Sequence, residues 1–98
     1  MAEAPRYRTL VENEEYTAQL VAFMAKYSPE TIDAGLLGVY WGICTKPEKY
    51  QQTTWNKRQA KSRCLGTVPA FRILFEIEDE NVVRLCWIEE IGPLEETQ

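Results

Sequence analysis

With 98 residues, the chain is long enough for one modest hydrophobic core and too short for two, so residues 1–98 are expected to form a single domain. Its composition, 45% hydrophobic and 27% charged, is typical of globular proteins and excludes a chain that is disordered throughout. The net charge of −4 argues against a surface that binds nucleic acid everywhere, and the lack of histidine excludes histidine-based catalysis and histidine-containing zinc sites.

The sequence opens with the pattern of a short strand and continues with that of a helix. Residues 6–11 alternate as a strand does, with aromatic or β-branched side chains at every second position. Asn13 has the side chain of a helix N-cap, and two glutamates follow it in the first turn. Apolar side chains at positions 16, 20, 23 and 27 form one stripe, which Ala18, Val21 and Met24 widen. We therefore expect a helix over about residues 14–27.

A second helix is expected immediately after the first. Ser28 is a suitable N-cap, and Pro29 suits the first helical position because its missing N–H costs nothing there. Apolar side chains recur at positions 32, 36, 39 and 43, and Pro47 should end the helix near Thr45. So short a connection predicts an antiparallel helical hairpin. Glycines at positions 35, 38 and 42 share one side of this helix, which indicates close approach of another backbone rather than a ligand contact.

Strands dominate the second half of the chain. Residues 70–78 alternate between apolar and mostly polar side chains, and a polar turn leads to a return strand over residues 81–91. We expect Trp87 to lie on the core face of this return strand. The order β-α-α-β-β-β, with helices early and strands late, predicts an α+β fold in which the helical hairpin packs on a mainly antiparallel sheet. Residues 93–98 are expected to form a frayed tail.

Charge is segregated along the chain. Residues 46–63, a polar stretch expected to form a loop and an irregular strand, carry six basic residues and one acidic residue, a net charge of +5. Residues 76–98 carry eight acidic residues and one arginine, a net charge of −7. This asymmetry indicates either a basic patch that meets phosphate beside an acidic tail, or two solvated segments without that role.

Sorting and cofactor signals are absent from the sequence. No apolar run approaches the roughly 18–20 residues of a membrane span, and the first residues lack the basic and apolar regions of a signal peptide. Three widely spaced cysteines favour neither a disulfide framework nor a structural zinc site. We therefore expect a cytoplasmic protein without membrane association, metal or cofactor.

The hairpin of the second half carries a family resemblance. Residues 71–85, FRILFEIEDENVVRL, give an aromatic residue, an arginine, a short apolar strand, an acidic turn and a valine-rich return strand. Together with the preceding strand and helical hairpin, residues 6–91 resemble the RelE/ParE superfamily of type II toxin–antitoxin toxins. The resemblance implies a toxin neutralised by a cognate antitoxin. Members of the superfamily cut mRNA in the ribosomal A site, poison DNA gyrase or have no demonstrated activity.

The resemblance also implies site residues for mRNA cleavage. In that reaction the 2′-OH attacks the neighbouring phosphate, and basic side chains neutralise the charge that gathers there. Arg72 matches the family's arginine and is the candidate for gripping the scissile phosphate, with an ion pair to Glu89 or Glu90 as the alternative role. Four residues fall where the family has a basic strand and are the candidate nucleic-acid contacts: Lys57, Arg58, Lys61 and Arg63.

Two rival hypotheses stay open beside mRNA cleavage. The stretch after the last strand is acidic and has no lysine, arginine or tyrosine, so it repels RNA. This favours a non-catalytic protein of the same fold, which binds a partner or forms a homodimer. A gyrase-directed toxin is the third hypothesis, because it needs no RNA-cleaving residues. Trp55, inside the basic stretch, is a candidate for base stacking or antitoxin contact, with a core or subunit contact as the alternative.

Overall fold

A computed structural model describes residues 7–53, 56–63 and 69–92. The fold is α+β: two helices pack on a four-stranded mixed sheet. The elements in chain order are β1 (Thr9–Glu12), α1 (Glu14–Tyr27), α2 (Pro29–Thr45), one turn of 3-10 helix (Pro47–Lys49), β2 (Arg58–Lys61), β3 (Ala70–Asp79) and β4 (Val82–Gly92). The predicted class and the order of helices and strands are confirmed. The predicted tail and Trp55 lie outside the described residues.

Capping residues set the helix boundaries where the sequence predicts them. The Asn13 side chain accepts a hydrogen bond from the backbone N–H of Tyr16 at 2.8 Å and begins α1. Ser28 alone joins the two helices: its N–H donates to the Met24 carbonyl, and its Oγ accepts from the N–H of Thr31 at 3.2 Å. Its φ of 96° is strained for a non-glycine residue, and these two hydrogen bonds offset the strain.

The sheet has the strand order β1-β4-β3-β2. The β2–β3 and β3–β4 pairs are antiparallel, as predicted, whereas β1 lies parallel to β4. A parallel neighbour requires a connection that crosses the sheet, and α1 and α2 lie in the chain between β1 and the other three strands. The first strand therefore forms an edge beside the last one.

The hydrophobic core lies between the helices and one face of the sheet. It consists of Tyr16, Ile32, Leu36, Ile43, Ala60, Phe71, Ile73, Phe75, Val83, Leu85 and Ile88. The apolar stripes predicted for both helices are confirmed by the first four of these residues. Val21 is 59% exposed, so the prediction that it widens the α1 stripe is wrong. At 3.6 residues per turn, its position lies well away from the buried side of the helix.

A β-bulge in β4 reverses which side chains face the helices. Leu85 and Trp87 pair with consecutive residues of β3, which leaves Cys86 as an extra residue. Beyond the bulge Ile88 is buried in the core, whereas Trp87 lies on the opposite face and is 39% exposed. The prediction that Trp87 packs on the core face is therefore wrong, because strict alternation does not allow for an inserted residue.

Candidate functional site

The sheet face turned away from the helices gathers several of the predicted site residues. We call it the open face, and the register assigns to it Gln59, Lys61, Arg72, Leu74, Glu76, Arg84, Trp87 and Glu89. Lys61 lies directly opposite Arg72 on the neighbouring strand, and Arg72 lies opposite Glu89. Two residues predicted from separate parts of the sequence are thus brought side by side.

Arg72 forms an ion pair with Glu89, as the alternative interpretation predicted. Its Nε lies 2.9 Å from Oε2 of Glu89. This nitrogen is buried and has no aligned hydrogen-bond acceptor among the described residues, so the contact is electrostatic rather than a hydrogen bond. The second carboxylate oxygen of Glu89 accepts a hydrogen bond from Trp87 Nε1 at 3.1 Å. Glu90 lies on the helix side, where it accepts from the Tyr27 hydroxyl at 2.9 Å.

Two of the predicted nucleic-acid contacts have partners within the chain. Lys57 Nζ lies 3.7 Å from Oε2 of Glu76, so its charge is already paired. Arg58 instead donates from Nη1 to the backbone carbonyls of Glu48 and Tyr50, at 3.2 and 2.9 Å. Arg58 therefore holds the 3-10 turn against β2 and does not lie with Arg72 on the open face.

Lys61 and Arg63 are the two predicted contacts whose exposed charge has no ionic partner among the described residues. Neither side chain forms an ion pair or a hydrogen bond with any residue the structure describes, and both residues are exposed. They line a cleft between α2 and the end of β2, while Lys61 also stands beside Arg72 on the open face. Of the four basic residues, these two retain the character that anion binding needs.

A hollow of about 360 Å³ opens beside Trp87 on the open face. Leu74 and Trp87 supply its apolar lining, and the Lys57–Glu76 pair supplies charge. The Cys86 thiol also lines the hollow, and burial raises its pKa. A thiol with a raised pKa stays protonated at neutral pH, so Cys86 is unsuited to act as a nucleophile.

Carboxylates neutralise most of the positive charge of the open face. Arg84 pairs with Glu78 and holds the pKa of that carboxyl below its usual value. Together with the pairs of Arg72 and Lys57, this leaves Lys61 as the open-face cation without an ionic partner among the described residues. An anion that binds to Arg72 must therefore compete with Glu89.

Sequence reasoning missed the position of Trp87 and the hollow beside it. Both depend on the bulge at Cys86, and the only sequence signal was an alternation that points the other way. The sequence marks Lys61 as basic, but its place opposite Arg72 depends on the register between β2 and β3. That register cannot be derived from the sequence, because the loop before β2 has no clear pattern.

Comparisons with known proteins do not assign this chain to a family. No family model matches the chain, and no curated protein matches it. Among the described residues, no helix is long and apolar enough to cross a membrane. The same part of the chain has no cluster of three or more acidic, cysteine or histidine residues that could hold a metal ion. The resemblance to RelE/ParE toxins therefore stays a prediction.

Proposed function

We propose that this protein is a RelE/ParE-like toxin of a type II toxin–antitoxin module, which binds mRNA at the ribosome through the open face and cleaves it. The observation that carries the proposal is the pairing of Lys61 with Arg72 on neighbouring strands. Paired residues of an antiparallel sheet lie about 5 Å apart, so both side chains reach one phosphodiester. The order of elements over residues 9–92 supports the same fold family.

The proposed reaction needs charge neutralisation more than any other contribution from these residues. The RNA 2′-OH attacks the neighbouring phosphate and gives its proton to water, the bond to the 5′-oxygen breaks, and that oxygen takes a proton from water, which leaves a 2′,3′-cyclic phosphate. During this step negative charge gathers on the phosphate oxygens. Arg72 presents a planar fork of donors to those oxygens, and Lys61 adds a point charge. Binding exchanges the Glu89 carboxylate for the phosphate as the partner of Arg72. A cognate antitoxin, also part of this proposal, neutralises the toxin outside the ribosome.

Protein synthesis in a bacterial cell-free extract tests the proposal. The parent protein should reduce reporter yield and cut the reporter mRNA, whereas Arg72→Ala should restore at least nine tenths of the yield. Arg84→Ala is the matched control, because it also removes one arginine paired with a glutamate on the same face. Arg84 lies several residues from Lys61 along the sheet, so its variant should inhibit as the parent does.

Two results contradict the proposal. Equal recovery with both arginine variants would show a general charge effect, and no inhibition by the parent at micromolar concentration would exclude action on translation. A DNA supercoiling assay with gyrase then tests the gyrase-directed toxin. Circular dichroism of each variant confirms that the fold is retained.

The ion pairs of the open face favour a second candidate function. A non-catalytic protein of the same fold has no need for free cations, and Arg72, Lys57 and Arg84 are each paired with a carboxylate. Such a protein would bind a partner without cutting RNA. Reporter mRNA that stays intact while the protein still slows translation would support this candidate over the nuclease.

A further inference from the structure

The side of α2 that is turned away from the sheet carries no charge over most of its length. No charged residue occurs in α2 between Asp33 and Lys46. A helix on the surface of a globular protein is normally polar on the side away from the core, whereas a helix that is apolar all round is buried on all sides. We call this side the outer face of α2, and its exposed residues are Ala34, Leu37, Gly38 and Trp41.

Two large apolar side chains lie on the outer face of α2. Leu37 is 69% exposed and Trp41 is 56% exposed. The Trp41 ring meets the half-exposed ring of Tyr7 edge to face, at 5.4 Å between centroids, so the apolar surface extends beyond the helix. Single exposed apolar residues are common on protein surfaces, but a contiguous apolar patch marks an interaction site.

A glycine in the middle of this face indicates what kind of molecule covers it. Glycine is a poor helix former, so it is expected inside a helix where another group approaches the backbone closely. Gly42 meets this expectation within the chain, because a Cβ there would overlap the Tyr50 hydroxyl. A Cβ at Gly38 would meet no atom within 4 Å, so packing within the chain does not explain this glycine. Close approach of a helix from a second molecule explains it.

The charges at the two ends of the face are complementary to each other. Glu30 lies in the first turn of α2, and Lys46 directly follows the last turn. Both residues are exposed, and neither has an ionic partner among the described residues. Gly38 is eight positions from each of them, which is about 12 Å along a helix. When two copies of α2 cross antiparallel at Gly38, Glu30 of each copy therefore lies level with Lys46 of the other.

The same arrangement places large side chains opposite small ones. With Gly38 at the crossing point, Trp41 of one copy lies level with Ala34 and Gly35 of the other, which leave room for its ring. An antiparallel pair of helices also brings the positive end of each helix dipole beside the negative end of the other. A contact with two-fold symmetry uses the same patch on both molecules, so one self-complementary face is sufficient for it.

We infer that the outer face of α2 joins two copies of this chain in a symmetric dimer, in which the two α2 helices pack antiparallel and cross at Gly38. Leu37 and Trp41 pack against the helix of the other copy, and Glu30 pairs with Lys46 at both ends of the contact. The sheet lies on the other side of the helices, so the open face of each copy stays accessible. The dimer does not depend on the function proposed for the open face.

Sedimentation of the full chain at increasing concentration tests the dimer. A contact made mainly by one helix is smaller than a standard protein interface, so we expect a Kd on the order of 10–100 µM. The chain should therefore sediment as a monomer at about 1 µM and mostly as a dimer at about 500 µM.

Variants of the outer face identify the surface that forms the dimer. Gly38→Leu fills the crossing point, and Leu37→Glu places like charges of the two copies close to the symmetry axis. Each variant should weaken association at least about tenfold. Trp87→Ala is the matched control, because it removes an exposed aromatic side chain from the open face and should leave the Kd unchanged. Circular dichroism at low concentration, where the chain is monomeric, checks the fold of each variant.

Exchange of charges tests the antiparallel arrangement. Glu30→Lys and Lys46→Glu each replace two attractive pairs of the dimer by two repulsive ones, so each variant alone should associate at least about fourfold more weakly than the parent. An equimolar mixture of the two variants should recover the parent affinity, because every pair across the symmetry axis then joins one basic and one acidic side chain. Recovery in the mixture requires that the partner is a second copy in this orientation.

Three results would overturn the inference. A chain that stays monomeric at the highest concentration would leave the outer face of α2 to a different protein. A dimer that Gly38→Leu and Leu37→Glu do not weaken would use another surface. A mixture of the two charge variants that associates no more tightly than each variant alone would exclude antiparallel packing. Arg72→Ala should leave the Kd unchanged, so failure of the dimer and failure of the translation assay are distinguishable.

Discussion

Two glycines of α2 should respond in opposite ways to the same substitution. Gly38→Ala adds a methyl group that meets nothing within 4 Å, whereas Gly42→Ala adds one that overlaps the Tyr50 hydroxyl. The two positions are one helical turn apart, so backbone propensity is nearly the same for both. The difference between the variants therefore reports the contact with Tyr50.

The magnitudes follow from helix propensity and packing. Alanine is favoured over glycine in a helix interior by about 1 kcal/mol, which should stabilise Gly38→Ala by roughly that amount. In Gly42→Ala the Tyr50 ring must shift, which disturbs its edge-to-face contact with Phe75, at 5.7 Å between centroids. Overpacking costs about 1–3 kcal/mol, and the gain in helix propensity offsets about 1 kcal/mol of it, so the net effect should be a destabilisation of up to about 2 kcal/mol.

Urea or thermal unfolding followed by circular dichroism measures both variants. For a domain of this size, Gly38→Ala should raise Tm by about 4–8 °C, and Gly42→Ala should lower it. Tyr50→Phe removes the overlapping oxygen, so Gly42→Ala should cost less in that background. Equal stabilisation by both alanines would refute the close contact between Gly42 and Tyr50.

Three further results are expected. Glu89→Gln removes the anion that competes with RNA phosphate for Arg72. Because exposed ion pairs contribute about 0.2–1 kcal/mol, inhibition of translation should strengthen up to about fivefold. Weaker inhibition would show that inhibition requires Glu89. Ile88→Ala should destabilise the fold by about 2–5 kcal/mol and Trp87→Ala by less, because the bulge places Ile88 in the core and Trp87 on the open face. Urea unfolding measures both variants, and a larger effect of Trp87→Ala would contradict the register. Burial raises the pKa of Tyr16, so the folded state keeps a proton that the unfolded state loses above about pH 10. The free energy of unfolding should therefore fall as pH rises beyond that value. In unfolding measured from pH 9 to 11, Tyr16→Phe should make this fall less steep.

Matched variants control two of these measurements. Glu78→Gln removes a glutamate paired with an arginine elsewhere on the open face, so it should leave inhibition near the parent level. Tyr16→Phe also loses the hydrogen bond between the Tyr16 and Tyr40 hydroxyls, which should lower stability at neutral pH by about 1 kcal/mol. The pH dependence, rather than stability at one pH, is therefore the quantity to compare.

Local signals predicted the helices well. Asn13, Ser28 and Pro29 act within one turn of the chain, so the bounds of α1 and α2 can be derived from neighbouring residues alone. The first strand was expected at residues 6–11 and is observed at Thr9–Glu12, because pairing with β4 rather than alternation decides where it begins.

The candidate site was less predictable because it depends on contacts between distant parts of the chain. The sequence marks Lys57 and Arg58 as basic neighbours, but their partners differ in the fold. Lys57 pairs with Glu76, whereas Arg58 donates a hydrogen bond to the carbonyl of Tyr50. The pairing of Arg72 with Glu89 was one of two interpretations, and only the register selects it. Charge is visible in a sequence, whereas the partner that neutralises it is a property of the fold.

The parallel pairing of β1 with β4 has a consequence for synthesis of the chain. Thr9 of β1 and Val82 of β4 are partners although they lie 73 positions apart. During synthesis, β1 therefore cannot pair until β4 has been made. Closing so large a loop is slow compared with forming the helical hairpin. The ion pair between Arg72 and Glu89 also requires β4. A nascent chain therefore completes its sheet, and with it the open face, only after the last strand has left the ribosome.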